Sequence, residues 1–255
     1  MRFLTALTLL LVITLVGCLH DEDDGPTLLG SLVDQAIGGI WEGTDSDGTA
    51  IIALTTESGR LHWIAETGEQ GFGTGSVIGS AVTFNYTLVA ELGFTFPDGS
   101  TSATCTGSGT IQQRQTLAVT VNCTTTLGTT SSSSASLNYN AIYDLDSVLS
   151  VIAGNYDDDG VVFNINANGV IFEQDPTTSC VLNGQITIID SNFNAYDVSL
   201  SVSNCTGAEA ILNGSTFTGL AVLDSTAPPP DELVIAVTGA VSGVTFAVIL
   251  SINRI

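Results

Sequence analysis

Val82-Thr83-Phe84-Asn85-Tyr86-Thr87-Leu88 changes between apolar and polar side chains at every step. A strand turns successive side chains to opposite faces, so Val82, Phe84, Tyr86 and Leu88 share a buried face while Thr83, Asn85 and Thr87 meet water. Working outward, Leu117, Val119 and Val121 oppose Thr120 and Asn122, and Phe246, Val248, Leu250 and Ile252 form a closing strand. Threonine and serine dominate the polar positions, which suits strands, and the helix formers lysine, glutamate and arginine are scarce. About eight candidate strands fall in each half, separated by glycine, asparagine and aspartate turns. Short spacings imply antiparallel neighbours. The expected fold is all-β, with two tandem antiparallel, barrel-like meander domains, and β-sandwiches are the alternative.

The chain restarts near its middle. Leu28, Leu29, Leu32, Val33, Ala36 and Ile37 are spaced by threes and fours, as a short amphipathic helix requires, and Leu145, Val148, Leu149 and Ile152 repeat that spacing. Each run leads through a glycine to a strand and an Asp-Gly turn: Trp41 and then Asp45 to Gly48, Tyr156 and then Asp157 to Gly160. Cys105, Gly107-Ser108-Gly109 and Cys123 match Cys180, Asn183-Gly184 and Cys205, and Tyr143-Asp144-Leu145-Asp146-Ser147 matches Ala221-Val222-Leu223-Asp224-Ser225. The expected organisation is a signal segment over 1–17, an acidic tether over 18–27, and β domains over 28–143 and 144–255, each preceded by a short helix. Thr124 to Ser136, nearly all threonine, serine and glycine, is expected to be a flexible connection, and Pro228-Pro229-Pro230 to stiffen another.

The N-terminal run Phe3 to Val16 carries no charge and no proline, and follows Arg2. At about 14 residues it is shorter than the ~20 a spanning helix needs, which marks a signal peptide. It ends in Leu15-Val16-Gly17-Cys18, which resembles a bacterial lipobox. That resemblance implies that Cys18 is lipidated and becomes the first mature residue, and Leu19 after it favours an outer-membrane address. Acyl chains on Cys18 would give lasting attachment. The membrane is therefore expected as a partner through the anchor only, and the cell envelope as the location.

The chain has 26 Asp and Glu against four Lys and Arg, a formal charge of −22. Losing Arg2 with the signal leaves Arg60, Arg114 and Arg254. Such a surface repels nucleic acid, and salt would relieve its self-repulsion. Apart from Cys18 there are four cysteines, an even number suited to an oxidising compartment. The repeat selects Cys105 with Cys123 and Cys180 with Cys205. No CxxC pair or nearby histidine supports a metal site. Asp45, Asp47, Asp157 and Asp159 are the candidates for a cation, against a simple role as hairpin turns. His62, on Arg60-Leu61-His62-Trp63-Ile64, reads as a surface strand residue. No nucleophile, P-loop or dinucleotide motif occurs, so neither enzyme activity nor a cofactor is expected.

Gly39-Ile40-Trp41 resembles the GxW of lipocalins and other calycins, where the tryptophan packs near an arginine at the far end of the barrel. Arg254 is the counterpart by position in the chain, but it falls in the second domain, where Tyr156 replaces the tryptophan. More broadly the chain resembles two-domain bacterial surface lipoproteins, which implies no particular activity. The expected function is a non-enzymatic, lipid-anchored envelope protein, structural or binding an envelope protein or glycan. The alternative is a calycin-like carrier of a small apolar ligand. An eight-stranded barrel can be filled or hold one ligand. Phe84, Tyr86, Phe163, Phe246, Leu250 and Ile252 as inward residues lead to the expectation of packed interiors in both domains.

Overall fold

A computed structural model describes residues 33–91, 93–226 and 231–255, which form one compact unit. The signal segment, Cys18, the tether, the first part of the expected leading helix and Pro228-Pro229-Pro230 lie outside these residues. Two closed antiparallel barrels of eight strands follow one another in the chain, so the all-β expectation holds and the sandwich alternative does not.

The first barrel is an up-and-down meander of β1 (Gly39–Asp45), β2 (Ala50–Thr55), β3 (Arg60–Ala65), β4 (Gln70–Ile78), β5 (Ala81–Val89), β6 (Ser102–Gln112), β7 (Thr116–Thr125) and β8 (Thr130–Asn140). It closes where β8 pairs with β1, Trp41 standing opposite Tyr139. The second barrel comprises β9 (Gly154–Asp158), β10 (Val161–Ile165), β11 (Val170–Gln174), β12 (Val181–Ile188), β13 (Tyr196–Ser203), β14 (Thr216–Asp224), β15 (Glu232–Val241) and β16 (Val244–Arg254). It closes through β16 and β9, with Arg254 opposite Tyr156. The first barrel closes over six residue pairs, which removes its sheet edges, whereas the second closes only over Asn253 and Arg254 of β16.

The sequence expectation fails in three places. The serine-rich stretch expected to be a flexible connection is the strand β8 from Thr130 onward, paired with β7 on one side and β1 on the other. Serine and threonine are compatible with strands, and both neighbours supply hydrogen bonds, so the lack of bulky apolar residues does not prevent pairing. The leading helix is not formed over its described part, residues 33–38, and the second is a single turn, α1 (Leu149–Ile152). One turn cannot pay for its own nucleation. It survives because Ile152 is fully buried in the second core and the Tyr156 hydroxyl donates to the Ile152 carbonyl at 2.8 Å.

The third concerns the repeat. Both expected disulfides are present, Cys105–Cys123 and Cys180–Cys205. Yet the first joins the sixth and seventh strands of its barrel, and the second lies at the ends of the fourth and fifth. The cysteine segments are thus not equivalent in the two barrels, and Tyr143 to Ser147 follows a last strand while Ala221 to Asp224 lies within β14. The pairing holds because each pair sits on neighbouring antiparallel strands. Loops of this length are worth about 3 kcal/mol each through the lost entropy of the unfolded chain.

Between the barrels, the outer face of β1 and β2 meets the outer face of β14 through Ile40, Leu54 and Leu220, joined by Tyr143 and Ala195. Tyr143 stacks on Phe193 with centroids 5.0 Å apart. All three arginines of the folded part are engaged. Arg60 pairs with Asp197 across the junction at 2.8 Å, Arg114 pairs with Asp144 and lies over Phe193, and Arg254 pairs with Asp231 at 3.0 Å.

Candidate functional site

Each barrel begins with a glycine two residues before a fully buried aromatic, and the two openings are built differently. Trp41 packs edge-on against Tyr139, with 5.4 Å between centroids, and Arg114 lies 5.8 Å from the Tyr139 ring. In the second barrel Arg254 lies directly over Tyr156, 5.2 Å from the ring centroid, and donates to the carbonyls of Ala153 and Val151. A Cβ on Gly154 would come within 2.8 Å of the Arg254 guanidinium, so the glycine leaves the space that the arginine occupies. Arg254 therefore closes the end of its own barrel, over the tyrosine that stands where the first barrel has tryptophan.

The interiors differ more. In the second barrel Tyr156, Phe163, Ile171, Leu233, Ile235 and Ile252 are completely buried, and Phe246 and Leu250 pack on them. In the first, Ile37, Trp41, Val82 and Ile111 plug one end. Beyond them lies a cavity of about 260 Å³ lined by Ala53, Leu61, Trp63, Phe84, Tyr86, Leu117, Val121 and Leu137, with Asp45, Glu69, Ser131 and Ser133 among its polar walls. A void of about 150 Å³ shares Leu88, Phe96, Cys123 and Ser131 with it. The expectation of a packed interior is corrected for this barrel. Phe84 and Tyr86 do point inward, but they do not fill it.

Two strands explain the hollow. On β4 the residues facing Trp63, Tyr86 and Phe84 are Gly71, Gly73 and Gly75. A Cβ at Gly71 would fall 1.9 Å from the Trp63 ring, at Gly73 2.6 Å from the Tyr86 backbone, and at Gly75 2.5 Å from the Phe84 ring. The aromatic rings lie back against bare backbone, which moves their bulk to one wall. Across the barrel β8 lines the cavity with the small residues Ser131, Ser133, Ser134 and Ala135, and its one bulky contribution is Leu137. Small residues on one wall and rings flattened on the other leave the middle open.

Tyr86 is the polar group inside. It is 8% exposed, it meets Trp63 edge-on at 5.8 Å, and none of the described residues hydrogen-bonds its hydroxyl. Burial pushes its phenol well above the ordinary tyrosine range, so it stays neutral. At the open end the β5–β6 connection lays Phe96 against the cavity. It is held by Asp98, which accepts from the backbone and hydroxyl of Ser100 and from the Thr125 hydroxyl. Those hydrogen bonds hold the Asp98 carboxyl far below the usual range.

The residues singled out for a cation do not converge. Asp45 Oδ1 accepts from the backbone of Asp47 and Thr49, and Asp157 Oδ1 from that of Gly160. Asp159 sits at φ 49° in the second turn. Among the described residues no group of three or more His, Cys, Asp or Glu side chains is arranged to hold a metal ion. His62 is not a surface residue. It is on the outside of the first barrel but 4% exposed, against Leu220 and Val234 of the second, and its Nε2 shares a hydrogen bond with Gln70 Oε1 at 3.1 Å. Burial lowers its pKa from 6.5 to about 4. A polar pocket of about 170 Å³ between the barrels contains Glu57, Tyr143, Asp190 and Phe193. Burial raises the Glu57 carboxyl, and its Oε1 has no hydrogen-bond partner among the described residues, Arg114 standing off at 3.7 Å.

The sequence matches no protein-family model and no curated protein.

Proposed function

We propose that the protein is a non-enzymatic binding protein of the cell envelope, anchored through Cys18, whose first barrel takes up one small, largely apolar molecule. The observation that carries the reading is the cavity of about 260 Å³ between Trp63, Phe84, Leu117 and Val121. Its volume is near the lower bound of ligand sites, roughly 300 Å³, and its chemistry is typical of them: a mainly apolar lining with a few polar groups, Tyr86 inside and Asp45, Glu69 and serines on its walls. The Tyr86 hydroxyl faces the cavity, where a polar group of a ligand or a bound water can hydrogen-bond it. The anchoring half of the reading rests on the lipobox resemblance, and the two disulfides suit an oxidising compartment.

Titration with the neutral apolar fluorophore N-phenyl-1-naphthylamine tests the binding half. The expected result is one saturable site per chain, with energy transfer from Trp63, that is lost in Val121→Phe while the circular dichroism of that variant is unchanged. Uptake without saturation, or uptake indifferent to Val121→Phe, would overturn it. Mass analysis of the N-terminal peptide from the native host tests the anchor, since it predicts an acylated Cys18.

A second reading makes the protein a structural or partner-binding element of the envelope. It is favoured by the filled second barrel, which leaves no room for a ligand, and by Val162, Val170 and Phe172, exposed on the neighbouring strands β10 and β11.

A further inference from the structure

The walls of the cavity carry charge of one sign only. Asp45, at the end of β1, and Glu69, just before β4, line it together with Ser131 and Ser133, and neither an arginine nor a histidine does. The three arginines of the folded part are held elsewhere by Asp197, Asp144 and Asp231. The Asp45 carboxylate is fixed in place through Oδ1 by two backbone N–H groups, both at 2.9 Å. The Glu69 carboxylate takes the Thr67 hydroxyl at 3.2 Å. Both carboxylates belong to the end of the barrel away from Trp41, where the apolar interior meets water.

An anionic amphiphile, such as a fatty acid, entering headgroup last would bring its carboxylate beside these two and find no cation. The overall charge of −22 works against it before it arrives. A protonated amine meets the opposite situation: its apolar body replaces water along Trp63, Phe84, Leu117 and Val121, and its ammonium group reaches the carboxylates at the mouth. Charge-assisted hydrogen bonds of that kind are among the stronger ones available to a half-exposed site. Midway down, the unpaired Tyr86 hydroxyl is placed for a second polar group of the ligand. Resting on the reading of the first barrel as a binding site, we infer that its ligand is a hydrophobic amine, held by Asp45 and Glu69 at the mouth of the barrel.

The test uses three probes that differ in the headgroup alone, octylamine, 1-octanol and octanoate, on the folded protein at neutral pH, measured by displacement of N-phenyl-1-naphthylamine and by calorimetry. The expected order is amine, then alcohol, then carboxylate, with about tenfold between the ends, the size of one charge-assisted hydrogen bond. In the variant Asp45→Asn/Glu69→Gln the three should fall within about twofold of each other, the asparagine preserving the turn because its side-chain oxygen accepts the same N–H groups. Octanoate binding as tightly as octylamine, or an amine preference that survives the double substitution, would overturn the amine assignment and leave the binding site standing. Failure of all three probes and of the fluorophore would overturn the binding site and the amine assignment together.

Discussion

The two barrels share strand number, direction and an aromatic residue at the start, and they use their interiors in opposite ways. The second buries Tyr156, Phe163, Ile171, Leu233 and Ile235 completely and caps the end with Arg254. The first gives β4 three glycines and β8 two serines on the inner face and keeps a cavity. An eight-stranded barrel sits at the size where either outcome is open, so a handful of side chains decides it. The difference teaches that the hollow comes from where the small residues stand. Large inward residues are present in both.

Substitutions inside the barrels give the widest contrast. Phe163→Ala should cost about 3–5 kcal/mol, because its neighbours are close-packed and a new void forms. Val121→Ala, whose side chain borders existing space, should cost under about 1 kcal/mol. Both tryptophans, Trp41 and Trp63, belong to the first barrel. Their fluorescence follows that barrel, while circular dichroism follows both. Equal losses at the two positions would break the contrast.

The junction supplies the next effect. His62 has a folded pKa of about 4 against 6.5 because burial disfavours its charged form. The unfolded chain therefore binds the proton more readily, and stability falls as pH drops from about 6.5 toward 4, by about 3 kcal/mol in all. Above pH 6.5 the contribution is fully present. The groups facing the ring from the second barrel are apolar, Leu220, Val222 and Val234, and the nearest cation is Arg60, engaged by Asp197. Urea melts of the protein and of His62→Gln across this range should differ in slope, and parallel curves would remove the histidine from the account.

Tyr86→Phe sharpens the reading of the cavity with a smaller change. Removing a hydroxyl that faces the cavity should leave the unfolding free energy of the empty protein within about 1 kcal/mol of its starting value. A clear loss of stability would mean that the hydroxyl already has a partner. Smallest of all, Arg60→Ala removes a half-exposed ion pair with Asp197 and should cost under about 1 kcal/mol, shrinking further as salt is added.

Much of the fold was legible because strand alternation is a local signal. Val82 to Leu88 and Leu117 to Asn122 lie in strands as read, and the disulfides follow from neighbouring strands. The serine-rich β8 was missed since its pairing depends on two distant strands and not on its own composition. The single turn α1 shows the converse: apolar spacing alone does not sustain a long helix there. The burial of His62 arises only when one barrel docks on the other, which no local pattern reports. The cavity was hidden for a related reason. Gly71, Gly73 and Gly75 alternate in plain sight, but their meaning appears only when the register sets them opposite Trp63, Tyr86 and Phe84.

The contrast between a hollow first barrel and a filled second one is tested most directly by diffraction from crystals held under xenon pressure, because xenon enters apolar cavities without needing any particular headgroup. The account predicts xenon density among Trp63, Phe84, Leu117 and Val121 and none inside the ring of Phe163, Ile235 and Ile252. Xenon in neither barrel, with the first interior closed by its own side chains, or xenon in the second, would contradict it.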